Sequence, residues 1–261
     1  MATLSLGRRS IAYDDTGSGP AVVLLHGLLM DRSMWDAQVE ALRGDNRVVT
    51  IDAPGHGDTD PVEVGYDFQD WAGEVWSVLD AAGVEDAVIG GQSMGGWTAL
   101  RCAAARPGRV LGLLLIDTSA QPENPVTLPQ YEAFLQVALT DGVNEDLANV
   151  LLAILFSQEF AASPAADPWR KKFVASDPAR FHAMTRAVLD RPDVSHLLDV
   201  VKVPALVVHG DEDAAIAMDR AEQLATAFGV PLHRIPGAGH ASPHERPEIV
   251  TPILRDFLAG L

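Results

Sequence analysis

The stretch Ala87-Val88-Ile89-Gly90-Gly91-Gln92-Ser93-Met94-Gly95-Gly96 joins two kinds of local pattern. Before Gly90 lies a short β-branched apolar run, the mark of a buried strand. After Ser93 the chain reads as a helix from about Met94 to Ala105, closed by Pro107. A serine wedged into such a tight strand-to-helix turn takes a strained backbone conformation that pushes its Oγ out of the sheet edge. Side chains two positions either side would collide with the neighbouring strand and helix, which accounts for glycine at 91 and 95. The helix start also sets free N–H groups and the positive end of a dipole beside the hydroxyl. The glycines fall at 90, 91, 95 and 96, so the register of a dinucleotide-binding loop fails and no cofactor is implied.

Outward from this turn the same alternation repeats. Val22–Leu25, Arg47–Ile51, Leu111–Ile116 and Ala205–Val208 are short apolar runs ending in Gly or Asp, and Leu232–Ile235 reads as the last strand. Continuous rather than alternating apolarity marks parallel strands buried on both faces. Helical stretches lie between them, at about Met34–Arg43, Asp67–Ala82 and Arg220–Phe228. Strand then helix, repeated, predicts an α/β fold with a mostly parallel, doubly wound sheet. The alternation stops between Gln121 and Leu198. Leu128–Thr140, Asn144–Phe160, Pro168–Ser176 and Ala179–Leu189 read as helices with proline-containing joints. The expected organisation is therefore a core domain of residues 1–120 and 199–261, with a helical insertion at 121–198.

Composition narrows the function classes. The 261 residues can bury a large core without disulfides, and the lone Cys102, mid-helix among alanines, reads as a small buried hydrophobe. With 19 Lys and Arg against 36 Asp and Glu, the formal net charge is −17. Such a surface repels phosphate backbones and anionic lipid, so neither nucleic acid nor membrane is an expected partner. The N-terminal residues lack the apolar segment of a signal peptide, and no apolar run approaches membrane-spanning length. The expectation is a cytoplasmic protein with a small-molecule substrate. No feature argues for a particular oligomeric state.

A serine hydroxyl is a poor nucleophile without a base in hydrogen-bond reach. Of the eight histidines, His240 lies on the Gly-containing loop after the last strand run, at the same sheet edge as Ser93. His26 and His56 sit in Gly-flanked loops and read as structural hydrogen-bonders. His240 and His244 have the i, i+4 spacing of a metal pair, but Pro243 between them breaks the helix such a pair needs, so no metal is expected. The base needs an acid to fix its tautomer. Asp213 is the choice as the residue furthest into the loop after Ala205–Val208, with Asp211 and Asp117 as alternatives. Oxyanion donors would be the backbone N–H groups of Leu28 and Met94. Apolar residues of the insertion, with Leu29 and Trp97 of the core, suggest a mostly apolar pocket; Leu29, Trp97, Leu152 and Phe156 are its candidate walls, while Trp35 and Met94 add to the apolar character.

Taken together, His26-Gly27, Asp52–Thr59, Gly91–Gly96, Gly210–Asp213 and Gly239-His240 with Glu245-Arg246-Pro247 resemble the α/β-hydrolase superfamily, over about Leu4 to Phe257. The resemblance implies Ser93 as nucleophile, His240 as base, Asp213 as acid and 121–198 as a helical cap or lid. The spacing is similar to small bacterial esterases and lactonases, including the 3-oxoadipate enol-lactonase-like group. Serine at position 93 departs from the epoxide hydrolases and haloalkane dehalogenases, which carry Asp there. Leu28-Leu29-Met30-Asp31 departs from the longer Gly- and Pro-containing stretch of the carbon–carbon bond hydrolases. Leu28 likewise departs from the aromatic usual in haloperoxidases. The expected activity is cleavage of an ester or lactone, or a thioester, through an acyl-enzyme on Ser93. The alternatives are a non-hydrolytic ligand sensor on the same fold, or haloperoxidase, carbon–carbon hydrolase or lyase use of the same triad.

Overall fold

A computed structural model describes residues 1–261. One eight-stranded sheet organises the molecule: β1 (Ala2–Leu6), β2 (Arg9–Gly17), β3 (Ala21–Leu25), β4 (Arg47–Ile51), β5 (Ala87–Gln92), β6 (Val110–Ile116), β7 (Ala205–Gly210) and β8 (Leu232–Ile235). Their spatial order is β1-β2-β4-β3-β5-β6-β7-β8. From β4 to β8 all pairings are parallel, as the continuous apolar runs predict. β1 and β2 are an antiparallel addition at one edge that the reading for buried runs did not find. β1 alternates half-buried and exposed residues, so it lacks the apolar continuity of a central strand.

Alternation along each strand feeds two cores. Val23, Leu25, Ile89, Leu113, Leu115 and Val207 join one cluster of 38 buried residues, and Val22, Leu24, Val88, Leu114, Ile116 and Val208 join another of 27. The twofold period of a strand sends neighbours to opposite faces. Burying each such side chain contributes about 1.5–3 kcal/mol. A charge at Leu114, which has no exposed surface, would therefore break one core outright.

The helices are α1 (Asp36–Leu42), α2 (Phe68–Ala81), α3 (Met94–Ala105), α4 (Leu128–Asp141), α5 (Glu145–Leu155), α6 (Gln158–Ala161), α7 (Asp167–Ala175), α8 (Pro178–Leu189), α9 (Leu197–Val200), α10 (Met218–Phe228), α11 (Ser242–Glu245) and α12 (Pro247–Ala259). α4 to α9 all lie between β6 and β7, a stretch with no strand. The helix expected over Asn144–Phe160 is two. Phe156 turns extended at φ −129°, ψ 159°, and the Ser157 hydroxyl accepts the N–H of Phe160 to start α6. That serine cap competes with continuation of the helix. No helix is long and apolar enough to cross a membrane.

Candidate active site

Ser93 sits between β5 and α3 with φ 54° and ψ −115°. A non-glycine residue held there costs roughly 1–3 kcal/mol, so the surroundings must impose it. The Ser93 N–H donates to Ile116 O at 3.0 Å, and its carbonyl accepts Thr118 Oγ1 at 2.8 Å. A Cβ on Gly91 would overlap the backbone of Gly95, and one on Gly95 would overlap the carbonyl of Leu25. Both glycines are therefore required by close approach, one against the helix and one against the strand.

The chain brings His240 and Asp213 together. His240 Nδ1 lies 2.8 Å from Asp213 Oδ2, with only 4% and 1% of the two side chains exposed. Asp213 Oδ1 accepts the N–H groups of Ala215 and Ile216, both at 2.8 Å. These bonds orient the carboxylate, which leaves Oδ2 for the imidazole. Burial by itself would lower the His240 pKa, but the charge and hydrogen bond of Asp213 outweigh it and hold the imidazole above its ordinary value. Gln92 Nε2 donates to the His240 carbonyl at 2.5 Å, and Glu245 accepts the N–H groups of Gly239 and Ser157, both at 2.9 Å. The histidine loop is thus fastened to the strand that carries the serine and to the segment entering α6.

Of the alternative acids, Asp211 pairs with Arg234 at the surface, 2.9 Å away. Asp117 lies behind the histidine loop. Its Oδ1 accepts the N–H of Gly210 at 2.9 Å, and its Oδ2 accepts Ser242 N–H at 3.0 Å and Ser242 Oγ at 2.7 Å. Burial and the nearby charge of Asp213 push its pKa well above the usual carboxylate range. Ligand atoms of Asp117, His209 and Asp213 lie within 4.8 Å of one another. The carboxylate oxygens of this cluster already face N–H or O–H donors, and His209 Nε2 meets Ile216 O at 2.9 Å, so the cluster is built as a hydrogen-bond hub.

On the other side of the serine, the loop after β3 is set by two histidines. His26 Nε2 accepts the N–H of Ala53 at 2.9 Å, and His56 Nε2 accepts the N–H of Leu29 at 3.1 Å. Burial lowers these imidazoles to about 4 and about 3, so both stay neutral and keep accepting. Leu29 takes φ 65° in this loop. The N–H of Leu28 has no partner among the loop's hydrogen bonds, and that of Met94 opens α3, where no carbonyl precedes it in the helix. Burial pushes the Cys102 thiol up, away from reactivity.

Ser93, His240 and Leu28 all line one cavity of about 130 Å³, with 17 hydrophobic residues among the 22 in its wall. No hydrogen bond joins Ser93 Oγ to His240 Nε2; contacts of this type are often long in unliganded sites and tighten when substrate is held. Leu29 and Trp97 line this cavity. Leu152 and Phe156 do not: they border a separate, open depression and are buried in the second core, with Phe156 stacked on Phe160. On α5 the cavity is lined by Leu147, Leu151, Ile154 and Leu155, and Leu152 lies about 100° round the helix from Leu151. Trp35 and Met94 are likewise core residues. Tyr131, Phe134, Leu135 and Ala138 of α4, spaced i, i+3, i+4, i+7, form a further wall that this periodicity could have revealed. His244 is half-buried and accepts Trp169 Nε1 at 2.8 Å.

Known proteins resemble the chain over most of its length. The alpha/beta hydrolase family profile matches residues 22–252. A 3-oxoadipate enol-lactonase 1 of Acinetobacter baylyi is 28% identical over 97% of this chain and 93% of its own. A pimeloyl-[acyl-carrier protein] methyl ester esterase of Aromatoleum aromaticum is 31% identical over 92% of this chain and 99% of its own. Other relatives are named as a 2-hydroxy-6-oxononadienedioate/2-hydroxy-6-oxononatrienedioate hydrolase and a non-heme haloperoxidase. Among solved structures, the enol-lactonase of Burkholderia xenovorans LB400 superposes with TM-score 0.90 at 28% identity, covering 99% of this chain and 100% of that one. With a matching profile over most of its length and the elbow, cavity and sheet that go with it, the chain belongs to the alpha/beta hydrolase family, in its enol-lactonase-like branch.

Proposed function

We propose that this hydrolase cleaves a carboxylic ester or lactone of a small, mostly apolar substrate through an acyl-enzyme on Ser93. The observation that carries the reading is the His240–Asp213 pair, 2.8 Å apart and opening onto the cavity that Ser93 also lines. Asp213 fixes the proton on Nδ1, so Nε2 is free to accept the Ser93 proton as Oγ attacks the carbonyl carbon. The tetrahedral oxyanion forms beside the N–H groups of Leu28 and Met94, which need not reorganise to receive it. His240 then protonates the leaving alkoxide. A water activated by the same imidazole attacks the acyl group and returns Ser93 to its starting state. The helices of 121–198 act as a cap whose α4, α5 and α8 side chains give the cavity its apolar character.

Relatives named for other reactions match most of this chain's length. The ester reading is favoured because the two donors beside Ser93 are backbone groups in an apolar wall, suited to a developing acyl oxyanion. The test is steady-state hydrolysis of p-nitrophenyl butyrate, with Ser93→Ala as control. Multiple turnovers abolished by the substitution support the reading. Substoichiometric release, or turnover that survives in Ser93→Ala, rejects it.

A further inference from the structure

The apolar cavity has one charged wall. Arg191, two residues past the end of α8, is buried there with its guanidinium 4.0 Å over the Trp97 ring. Its Nε donates to Gln121 O at 3.2 Å, and its Nη1 to Glu123 Oε2 at 2.9 Å and Val188 O at 2.7 Å. These bonds leave Nη2 unengaged. The Tyr131 hydroxyl, which lies close enough to feel the charges of Glu123, Asp213 and Arg191, is also free of hydrogen bonds within the protein. Neither atom is sealed away from the cavity space, so each is free to hydrogen-bond a ligand oxygen that takes the place of water. Trp97 stands one helical turn from Ser93, about 6 Å along the axis of α3, and both line the same cavity as Arg191 and Tyr131.

Resting on the hydrolase reading above, we propose that Arg191 Nη2 and the Tyr131 hydroxyl form a second polar anchor for an uncharged oxygen acceptor of the substrate. The substrate is then an ester or lactone that bears a further keto, ether or amide oxygen, rather than a plain alkyl ester. Charge decides for a neutral acceptor. Glu123 already neutralises Arg191 at hydrogen-bond distance, so a carboxylate would place an uncompensated charge in an apolar cavity. The formal net charge of −17 also repels anionic substrates from the whole molecule.

The test compares matched esters on the full chain: p-nitrophenyl 4-oxopentanoate against p-nitrophenyl pentanoate, and 2-methoxyethyl butanoate against n-butyl butanoate. In at least one pair the oxygenated member should have a kcat/KM roughly tenfold higher, the size of one well-placed hydrogen bond. Tyr131→Phe deletes only the hydroxyl, and Glu123→Gln combined with Arg191→Met removes both charges so that neither is orphaned. Both changes should bring the ratio to within about twofold of unity. A fold merely loosened would slow both members alike and leave the ratio standing. Ratios near one in the unaltered protein, or a ratio unmoved by both changes, overturn the proposal. So does a p-nitrophenyl hemisuccinate that outperforms the 4-oxopentanoate. If no ester turns over, binding of the same pairs to Ser93→Ala, followed by tryptophan fluorescence, separates the two claims. Tighter binding of the oxygenated member then keeps the anchor while the hydrolase reading fails, and equal binding overturns the anchor.

Discussion

Replacing Asp213 by Asn tests whether it, rather than its neighbour Asp117, is the acid of the proposed triad. In the native site Oδ1 is filled by the Ala215 and Ile216 N–H groups at 2.8 Å, and Oδ2 faces His240 Nδ1 at 2.8 Å. An Asn side chain will turn its carbonyl to the two backbone donors. Its NH2 then meets Nδ1–H, donor against donor. The imidazole escapes by moving its proton to Nε2, where it faces the serine and cannot serve as base. The expected loss in kcat/KM is roughly 10³–10⁴-fold, or about 4–5.5 kcal/mol of transition-state stabilisation. Asp117→Asn keeps an acceptor for the Gly210 N–H and does not face Nδ1, so its loss should stay below about tenfold. The assay is kcat/KM on p-nitrophenyl butyrate across about pH 5.5–9.5, with melting curves to show that each variant is folded. Activity needs neutral His240, so it rises as pH climbs through the pKa of that residue. Asp213 holds this pKa above the ordinary imidazole value, so the acid limb should lie above about 6.5 and move down in Asp213→Asn. An Asp213→Asn enzyme within about tenfold of wild type, or an Asp117→Asn enzyme more damaged than Asp213→Asn, would refute the assignment.

Three further outcomes follow from the geometry. Leu152→Ala should destabilise the protein by about 2–5 kcal/mol in denaturant unfolding while leaving the acyl-chain preference unchanged, whereas Leu151→Trp should shift the preference to shorter acyl chains with little loss of stability; the reverse pattern would place the cavity on the wrong stripe of α5. His56 is neutral in the fold down to about 3 and protonates near 6.5 when unfolded, so its burial costs stability as pH falls below 6.5. The wild-type unfolding free energy minus that of His56→Gln should therefore drop by about 1.4 kcal/mol per pH unit between roughly 6.5 and 4, and a pH-independent difference would contradict the neutral, buried imidazole. Gly239→Ala puts a methyl group into the backbone of Phe156 and Ser157, so it should lower both Tm and kcat; a variant with native values would show that the close approach of the histidine loop to this segment is not needed.

The elbow was legible because every physical demand there leaves a residue mark: glycine where backbones touch, serine at the turn, an apolar run before it and a helix after. The central strands β3 to β7 were legible for a similar reason, since a strand covered on both faces is apolar at most positions, whereas β8, at the far edge, carries His233 and Arg234. Acid and base were readable as loop residues at strand ends, although only the fold shows Asp117 accepting from the two loops that carry them. β1 escaped because an edge strand is wet on one side and carries no continuous apolar run. Leu152 and Phe156 were misplaced because both stripes of α5 are apolar, and which one faces the cavity depends on α7 and the second core rather than on α5 itself. Arg191 and Glu123 gave no local sign, since they are 68 residues apart and meet only where the insertion leaves and rejoins the sheet.

The central claim is that Ser93 is the atom donor to an acyl-enzyme. A p-nitrophenyl alkylphosphonate mimics the tetrahedral state and should label the protein once, with one equivalent of p-nitrophenol released and complete loss of esterase activity. Tryptic mass mapping should place the added mass on Ser93 within the peptide Val48–Arg101, and Ser93→Ala should take up none. A label on another residue, or full inhibition with Ser93 unmodified, would contradict the account.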